Sequence, residues 1–336
     1  MSRIRKLYYF DKKNAREMVA FLNNGETYVN RIMFNPISPL HHILPLRLKF
    51  LPESYVLKDG KVMKGLITVA PSKYPLKQME IQKLLFEENC YEDASELVQF
   101  VVSKYKAMGV ASIIVRIDDY LPELVKLFIS KCGFSQISYE KLWKLPEKNL
   151  KKTEKGSFNS KMYRVFRNSD AQAVANLYNE SLLPHFRPLL SKDTKEFREP
   201  VFSGLSYYSE YRYVLEDTKT KNIIGYLSIQ TQDNENYIVD IIQTPWAELD
   251  IDELVSFVNY QISKRKKRFN IFLKTKKYAQ IGEKQEQEFL EKKFECVQNQ
   301  IVLTNSSAKI IRNAEHAGKF TVLNQLYGAG VGINLS

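Results

Sequence analysis

The chain has 336 residues, 44% of them apolar and 12% aromatic, and carries a formal net charge of +12. That length favours two domains over one, and the apolar content excludes a disordered or low-complexity chain. The charge excess is spread over both halves, which suits simple solubility or an anionic partner such as a nucleotide or RNA. Cys90, Cys132 and Cys296 stand far apart with no CxxC spacing. This argues against a disulfide framework or a zinc site and for a reducing compartment. The N-terminal MSRIRKLYYFDKK holds no run of signal-peptide length, and no window approaches the roughly 18 apolar residues of a membrane span. The expectation is a cytoplasmic protein with no membrane partner and no metal.

In chain order, residues 4–10 read as a first strand. Residues 14–22 read as a short amphipathic helix stopped by Asn23-Asn24-Gly25. Residues 26–53 are apolar but broken by Pro36, Pro39, Pro45 and Pro52, and suit a wrapping segment that could line a site. Two β-rich runs, 55–57 and 62–69, flank Lys58-Asp59-Gly60-Lys61, a hairpin signal. Residues 78–86 suit a third strand. Residues 91–108 place Ala94, Leu97, Val98, Val101 and Tyr105 on one helical face, with Gly109 as the stop. A strand (110–119), a helix (120–133) and a strand (134–145) then follow.

The polar, Lys-rich stretch 146–161 is the best linker in the chain, after which the pattern restarts. A strand (162–166), a helix (171–182), a Pro-punctuated segment (183–208) and a hairpin (212–216 with 223–230) come next. After them stand a strand (237–243), a helix (250–263), and a second strand–helix–strand (268–278, 281–293, 294–304). Both halves thus read strand, helix, Pro-rich segment, hairpin, strand, helix, strand, helix, strand, with each final strand–helix–strand closing its own half. The order implies an internal duplication. It divides the chain into domains 1–148 and 162–308, a linker 149–161, and a tail 309–336 with a short packing helix expected around 319–326.

This order resembles the GCN5-related N-acetyltransferase (GNAT) fold used twice. Lys131-Cys132-Gly133-Phe134 resembles that family's late helix and Gly-Phe turn. Asn222-Ile223-Ile224-Gly225-Tyr226-Leu227-Ser228-Ile229 resembles its central hairpin strand, and Lys64-Gly65-Leu66-Ile67-Thr68-Val69 is the counterpart in the first half. The resemblance implies an α+β fold of two tandem GNAT-like domains, each a mixed, mostly antiparallel sheet flanked by helices. It further implies acyl transfer from acetyl-CoA, or another acyl-CoA, to a small-molecule or peptide amine. The acyl group would sit at the splay between the third and fourth main strands, with Ile242, Gln243 and Thr244 as backbone contacts in the second half.

The sequence departs from the family pattern in two places. The loops that would cradle the cofactor pyrophosphate, 86–93 and 243–250, contain no glycine and are acidic, and Pro245 removes an amide donor. Where the family often places a tyrosine general acid, alignment on Phe134 and Phe294 puts Ile129 and Phe289, and Lys293 replaces the turn glycine. Two further readings follow: a catalytically inactive GNAT-like binding or scaffold protein, and an aminoacyl-tRNA-dependent acyltransferase of Fem type, whose architecture is also similar and which suits a basic surface for RNA.

Other candidates have simpler explanations. His41, His42 and His185 lie in the Pro-rich segments, where a general base could act, but no carboxylate partner can be placed beside them. Lys264, Arg265, Lys266, Lys267 and Arg268 stand at a helix C-terminus, where cations complement the macrodipole, and could also face RNA. Tyr207, Tyr208, Tyr211 and Tyr213 suit packing. Gly328-Ala329-Gly330-Val331-Gly332 has no helix after it and reads as a tail.

Overall fold

A computed structural model of the chain describes residues 3–8, 11, 14, 52–73, 78–87, 90–146, 162–198, 209–231, 233–247 and 249–306. It gives backbone alone at 72–73, 308–312 and 320–324. The first half supplies strands β1 (Arg3–Lys6), β2 (Glu53–Asp59), β3 (Val62–Lys73), β4 (Gln78–Phe86), β5 (Ser112–Asp118) and β6 (Ser135–Lys144), and helices α1 (Tyr91–Ala107) and α2 (Pro122–Ser130). The second half supplies β7 (Tyr163–Val165), β8 (Ser209–Glu216), β9 (Ile223–Thr231), β10 (Asn236–Gln243), β11 (Asn270–Lys276) and β12 (Glu295–Ser306). Its helices are α3 (Ala171–Ser181), α4 (Arg187–Leu190), α5 (Thr194–Phe197), α6 (Ile251–Ser263) and α7 (Gly282–Glu291).

These strands form one 12-stranded sheet in the order β1-β2-β3-β4-β5-β12-β6-β11-β10-β9-β8-β7. The closing strands are therefore exchanged. β6 does not pair with β5 of its own half but with β11, from Phe272↔Lys144 to Lys276↔Glu140. β12 returns to β5, from Gln300↔Asp118 to Ser306↔Ser112. The closing copies of the sequence repeat thus complete each other's halves and meet in the centre, where β6 and β12 pair antiparallel. The sequence pattern alone had each copy closing its own half. Strand alternation fixes which face is buried but not which partner lies alongside, so the exchange had no local signal.

Matching details confirm the duplication. Arg5 makes a two-pronged ion pair with Asp11 at 2.7 and 2.8 Å, and Arg164 does the same with Asp170 at 2.7 and 3.0 Å. Gly65 and Gly225 stand in equivalent hairpin strands, each opposite the end of the next strand, Phe86 and Gln243. The chain turns into β6 through Gly133 at φ 68° and into β12 through Lys293 at φ 60°. The glycine position therefore keeps its left-handed backbone after losing its glycine, at a conformational cost.

Alternating residues divide the packing. Met79, Ile81, Ile113, Val115 and Leu303 pack under α1 and α2, and Tyr237, Val239, Ile271, Leu273 and Trp143 pack under α6 and α7. Their neighbours Ile114, Val302 and Ile242 point to the other face and pack beneath α3–α5 with Tyr178, Leu189, Phe197 and Tyr278. α6 has the expected amphipathic pattern, with Leu254, Phe257, Val258 and Ile262 buried and the Asp250 side chain capping its first turn at Asp252 N.

The predicted first strand ends at Lys6. The helix expected over 319–326 is instead β14 (Phe320–Asn324), which pairs with β13 (Ala308–Arg312) as a separate hairpin. Its Phe-Thr-Val-Leu core favours extended structure over a helix. The expected helix beyond Asn14, the segment 26–51, the linker 149–161 and the Gly-rich stretch lie outside the described residues. No helix among the described residues is long and apolar enough to cross a membrane.

Candidate functional site

β10 and β11 run parallel and stay paired from Asn236↔Asn270 to Asp240↔Lys274. Beyond that point β10 follows β9, ending at Gln243↔Gly225, while β11 follows β6 to Lys276. The two strands separate because each keeps its antiparallel neighbour, and a notch opens between them. The first half repeats the arrangement: β4 and β5 pair only from Gln78↔Ser112 to Ile81↔Val115, yet β4 runs on to Phe86.

Ile242, Gln243 and Thr244 lie at this opening, and all three are buried. Thr244 N–H donates to Ile224 O at 3.0 Å. In an antiparallel ladder hydrogen-bonding direction alternates, so the main-chain groups of Ile242 and Thr244 face β9 while those of Gln243 face the notch. Gln243 Nε2 donates to Ala247 O at 3.0 Å. Three polar atoms here have no partner: Asp240 Oδ1, Gln243 Oε1 and Thr244 Oγ1. Gln243 and Thr244 are only 7% and 4% exposed, so these orphans carry a desolvation cost of about 1–3 kcal/mol each. Such atoms call for an explanation, and a ligand that donates hydrogen bonds is one.

Asp240 is the last β10 residue paired to β11, and its Oδ2 accepts from Lys276 Nζ at 2.6 Å. A second acid–base pair crosses the parallel strands of the first half, where Arg116 donates to Glu80 at 2.6 Å across β4 and β5, two residues earlier in the register. Glu140, at the centre of the sheet, bonds to the first-half pair through Arg116 and acts on Lys276 of the other through its charge. Glu140 accepts from Arg116 Nε at 2.9 Å and from Tyr278 Oη at 2.6 Å, and forms an ion pair with Lys274. Burial alone would push the Glu140 carboxyl up, but the charges of Arg116 and Lys274 outweigh it and hold it well below its ordinary range. Burial lowers Lys276, with Asp240 opposing. Burial and the Glu140 charge raise Tyr278 well above its ordinary value, which makes it a poor proton donor.

The sequence reading missed this cluster. It had a signal: Arg116, Lys274, Lys276 and Asp240 interrupt runs that otherwise read as fully buried strands.

The loop after β10 is self-contained. Ala247 N–H donates to Thr244 O at 3.1 Å, Pro245 has no N–H, and Asp250 occupies the α6 N-terminus. Asp252 and Glu253 stand in the first turn of α6, with Lys292 paired to Asp252 at 2.8 Å. Glu288 is raised by burial, with Asp250 and Asp252 adding to the effect. In the first half, α1 starts at Cys90 without a side-chain cap, and Glu87 accepts from Lys64 at 2.9 Å.

The other predicted positions lie apart from the notch. Ile129 is exposed and lines a shallow apolar hollow of about 360 Å³ with Pro122, Val125 and Ile301, whereas Phe289 is fully buried against Trp143. Neither reaches a reacting group. His185 packs at a tilt against Phe186 with ring centroids 4.1 Å apart, and His41 and His42 lie outside the described residues. The run 264–268 is exposed, with Lys264 and Arg265 each 3.9 Å over a tyrosine ring, Tyr260 and Tyr211. Tyr213 is packed edge-on to Phe257. Among the described residues no cluster of three or more His, Cys, Asp or Glu could hold a metal.

A mixed sheet with two parallel strands splayed at their C-terminal ends, occurring twice in one chain, defines the tandem GNAT fold. Solved structures agree. A tandem GNAT protein from the clavulanic acid biosynthesis pathway superposes with a TM-score of 0.59 at 11% identity, covering 91% of this chain and 98% of that one. A GCN5-related N-acetyltransferase from Sphaerobacter thermophilus gives 0.59 at 11% identity over 91% and 95%. A Drosophila protein gives 0.54 at 9% identity over 91% and 99%. No protein-family model and no curated protein sequence matches the chain. At these identities the likeness is one of fold.

Proposed function

We propose that the protein is an N-acyltransferase whose working site is the notch between β10 and β11, where an acyl group passes from a thioester to an amine. The observation that carries this reading is the set of unpartnered polar atoms at the opening: Asp240 Oδ1 and Thr244 Oγ1 on one face of β10 and Gln243 Oε1 on the other. In the reaction the amine nitrogen bonds to the thioester carbonyl carbon, the C–S bond breaks, and the sulfur leaves as a thiol carrying the proton the amine gives up.

The chain's own residues supply three parts of that chemistry. Gln243 offers main-chain groups toward the notch, on which an amide-bearing acyl donor can lie as an added strand. Asp240, anchored by Lys276, presents its free oxygen to the amine N–H, orienting it and accepting its proton. Tyr178, buried on the same face with its hydroxyl raised by burial and by the charge of Asp240, stays neutral and closes the site against water.

The test is thiol release from acetyl-CoA or S-acetylpantetheine with a panel of primary amines, read against Asp240→Asn. Turnover is expected with at least one amine, falling about 100-fold or more in the variant. Calorimetry showing no binding of either donor at millimolar concentration would overturn the reading in favour of an inactive scaffold. That alternative draws on a separate observation, the acidic, self-capped start of α6.

A further inference from the structure

Resting on the acyl-transfer reading, we infer that the donor is recognised through its pantetheine-type amide arm and not through a nucleotide diphosphate. The second-half site takes an acyl-pantetheine thioester as its unit of recognition.

Two groups of observations point the same way. The first concerns what the notch offers to an arm. A pantetheine arm carries two secondary amides, each with one N–H donor and one carbonyl acceptor. The β10 edge presents the Gln243 main chain, a neutral donor and acceptor. On opposite faces of the strand beside it stand the Gln243 amide oxygen, an acceptor, and the Thr244 hydroxyl, a donor or acceptor, both buried and without a partner. Neutral acceptors at the buried end of a strand match amide N–H groups. The amide oxygen offers nothing to a phosphate, which presents only acceptors of its own, and the hydroxyl and the Gln243 N–H carry no charge to offset one.

The second group concerns what stands where a diphosphate would lie. A helix N-terminus binds phosphate through free amides and its positive pole. Here the Asp252 amide is taken by the Asp250 carboxylate at 2.8 Å, and the Thr244 and Ala247 amides by Ile224 O and Thr244 O. Pro245 supplies none. The pole is already neutralised by Asp250, Asp252 and Glu253. Glu288 adds a fourth carboxylate within their electrostatic reach, and of the two nearby cations, Lys284 and Lys292, the latter is engaged with Asp252. A doubly charged anion placed here meets like charge, while an uncharged arm does not. Two sources of such an arm share this chemistry: a free acyl-pantetheine, and the same arm carried on a protein.

Donor competition tests the inference on the full chain. Acetyl-CoA, S-acetylpantetheine and an acetylated acyl carrier protein are each titrated by calorimetry and, where turnover is seen, compared by kcat/KM. The expected result is that removing the nucleotide costs less than threefold, and that affinity for acetyl-CoA rises with salt as repulsion from the α6 carboxylates is screened. A carrier protein favoured tenfold or more supports the inference and identifies the carrier as the source. Near-equal values for the two small donors support it with the free arm as the source.

Acetyl-CoA favoured 30-fold or more over S-acetylpantetheine overturns the inference and leaves acyl transfer standing. Failure of all three donors overturns the acyl-transfer reading itself. As an internal check, Asp252→Asn with Glu253→Gln, which leaves the Asp250 cap in place, should improve acetyl-CoA binding several-fold and leave S-acetylpantetheine unchanged. Parallel changes with both donors would also overturn the inference.

Discussion

Replacing Glu140 by glutamine tests whether the two halves are held together by one buried carboxylate. Glu140 is 2% exposed and sits on β6, between β12 and β11, so its ion pairs tie first-half Arg116 to second-half Lys274 and Tyr278. Glutamine keeps the volume and an acceptor for Tyr278 but removes the charge. Arg116 retains Glu80, whereas Lys274 loses its ion-pair partner. Removing one member of a buried ion pair costs about 3–5 kcal/mol, because the remaining charge is left uncompensated. With a urea m-value of about 3 kcal/mol/M, the unfolding midpoint should fall by about 1–1.7 M. The pH dependence has a defined sign. The folded carboxyl lies well below its ordinary 4.5, so its contribution is present above that value and is lost as pH falls toward the folded one. The gap between the native protein and Glu140→Gln should therefore be full at pH 7 and narrow below pH 4.5. A midpoint within 0.3 M of the native one (about 1 kcal/mol or less at that m-value), or a gap unchanged on acidification, would refute the reasoning.

Three further outcomes follow from geometry. A Cβ at Gly282 would lie 2.1 Å from Lys276 O, at Gly65 2.7 Å from Leu97 Cδ1, and at Gly225 no closer than 3.3 Å to Leu215. Alanine should accordingly lower the thermal midpoint in the order Gly282, Gly65, Gly225, and Gly282→Ala, which strikes main chain beside the Asp240–Lys276 pair, should also reduce turnover. Lys293→Gly should stabilise the protein by about 0.5–1 kcal/mol in urea titration, because lysine is held at φ 60° where glycine carries no penalty. Residues 1–148 alone should give no cooperative monomeric unfolding transition by circular dichroism, since β5 and β6 would both lose β12 as their shared neighbour; co-expression with 149–336 should restore one.

The repeated element order was legible because local rules write it: Asp-Gly turns, two-residue alternation, and helical faces ending at Gly109. The strand exchange and the central charge cluster were not, since both depend on which strands lie side by side across more than a hundred residues of chain. The two acid–base pairs show what that information adds. Glu80 with Arg116, and Asp240 with Lys276, each cross a pair of parallel strands beside its notch. In the first half Arg116 divides its donors between Glu80 and Glu140, so the pair is absorbed into the sheet's central network. In the second half Glu140 is reached through Lys274 instead, Lys276 is bonded to Asp240, and one oxygen of Asp240 is left without a partner. One pair thus joins the halves, and the other keeps a free acceptor at its notch. That asymmetry is the ground on which the proposed transfer is placed in the second half, and neither strand alone reveals it.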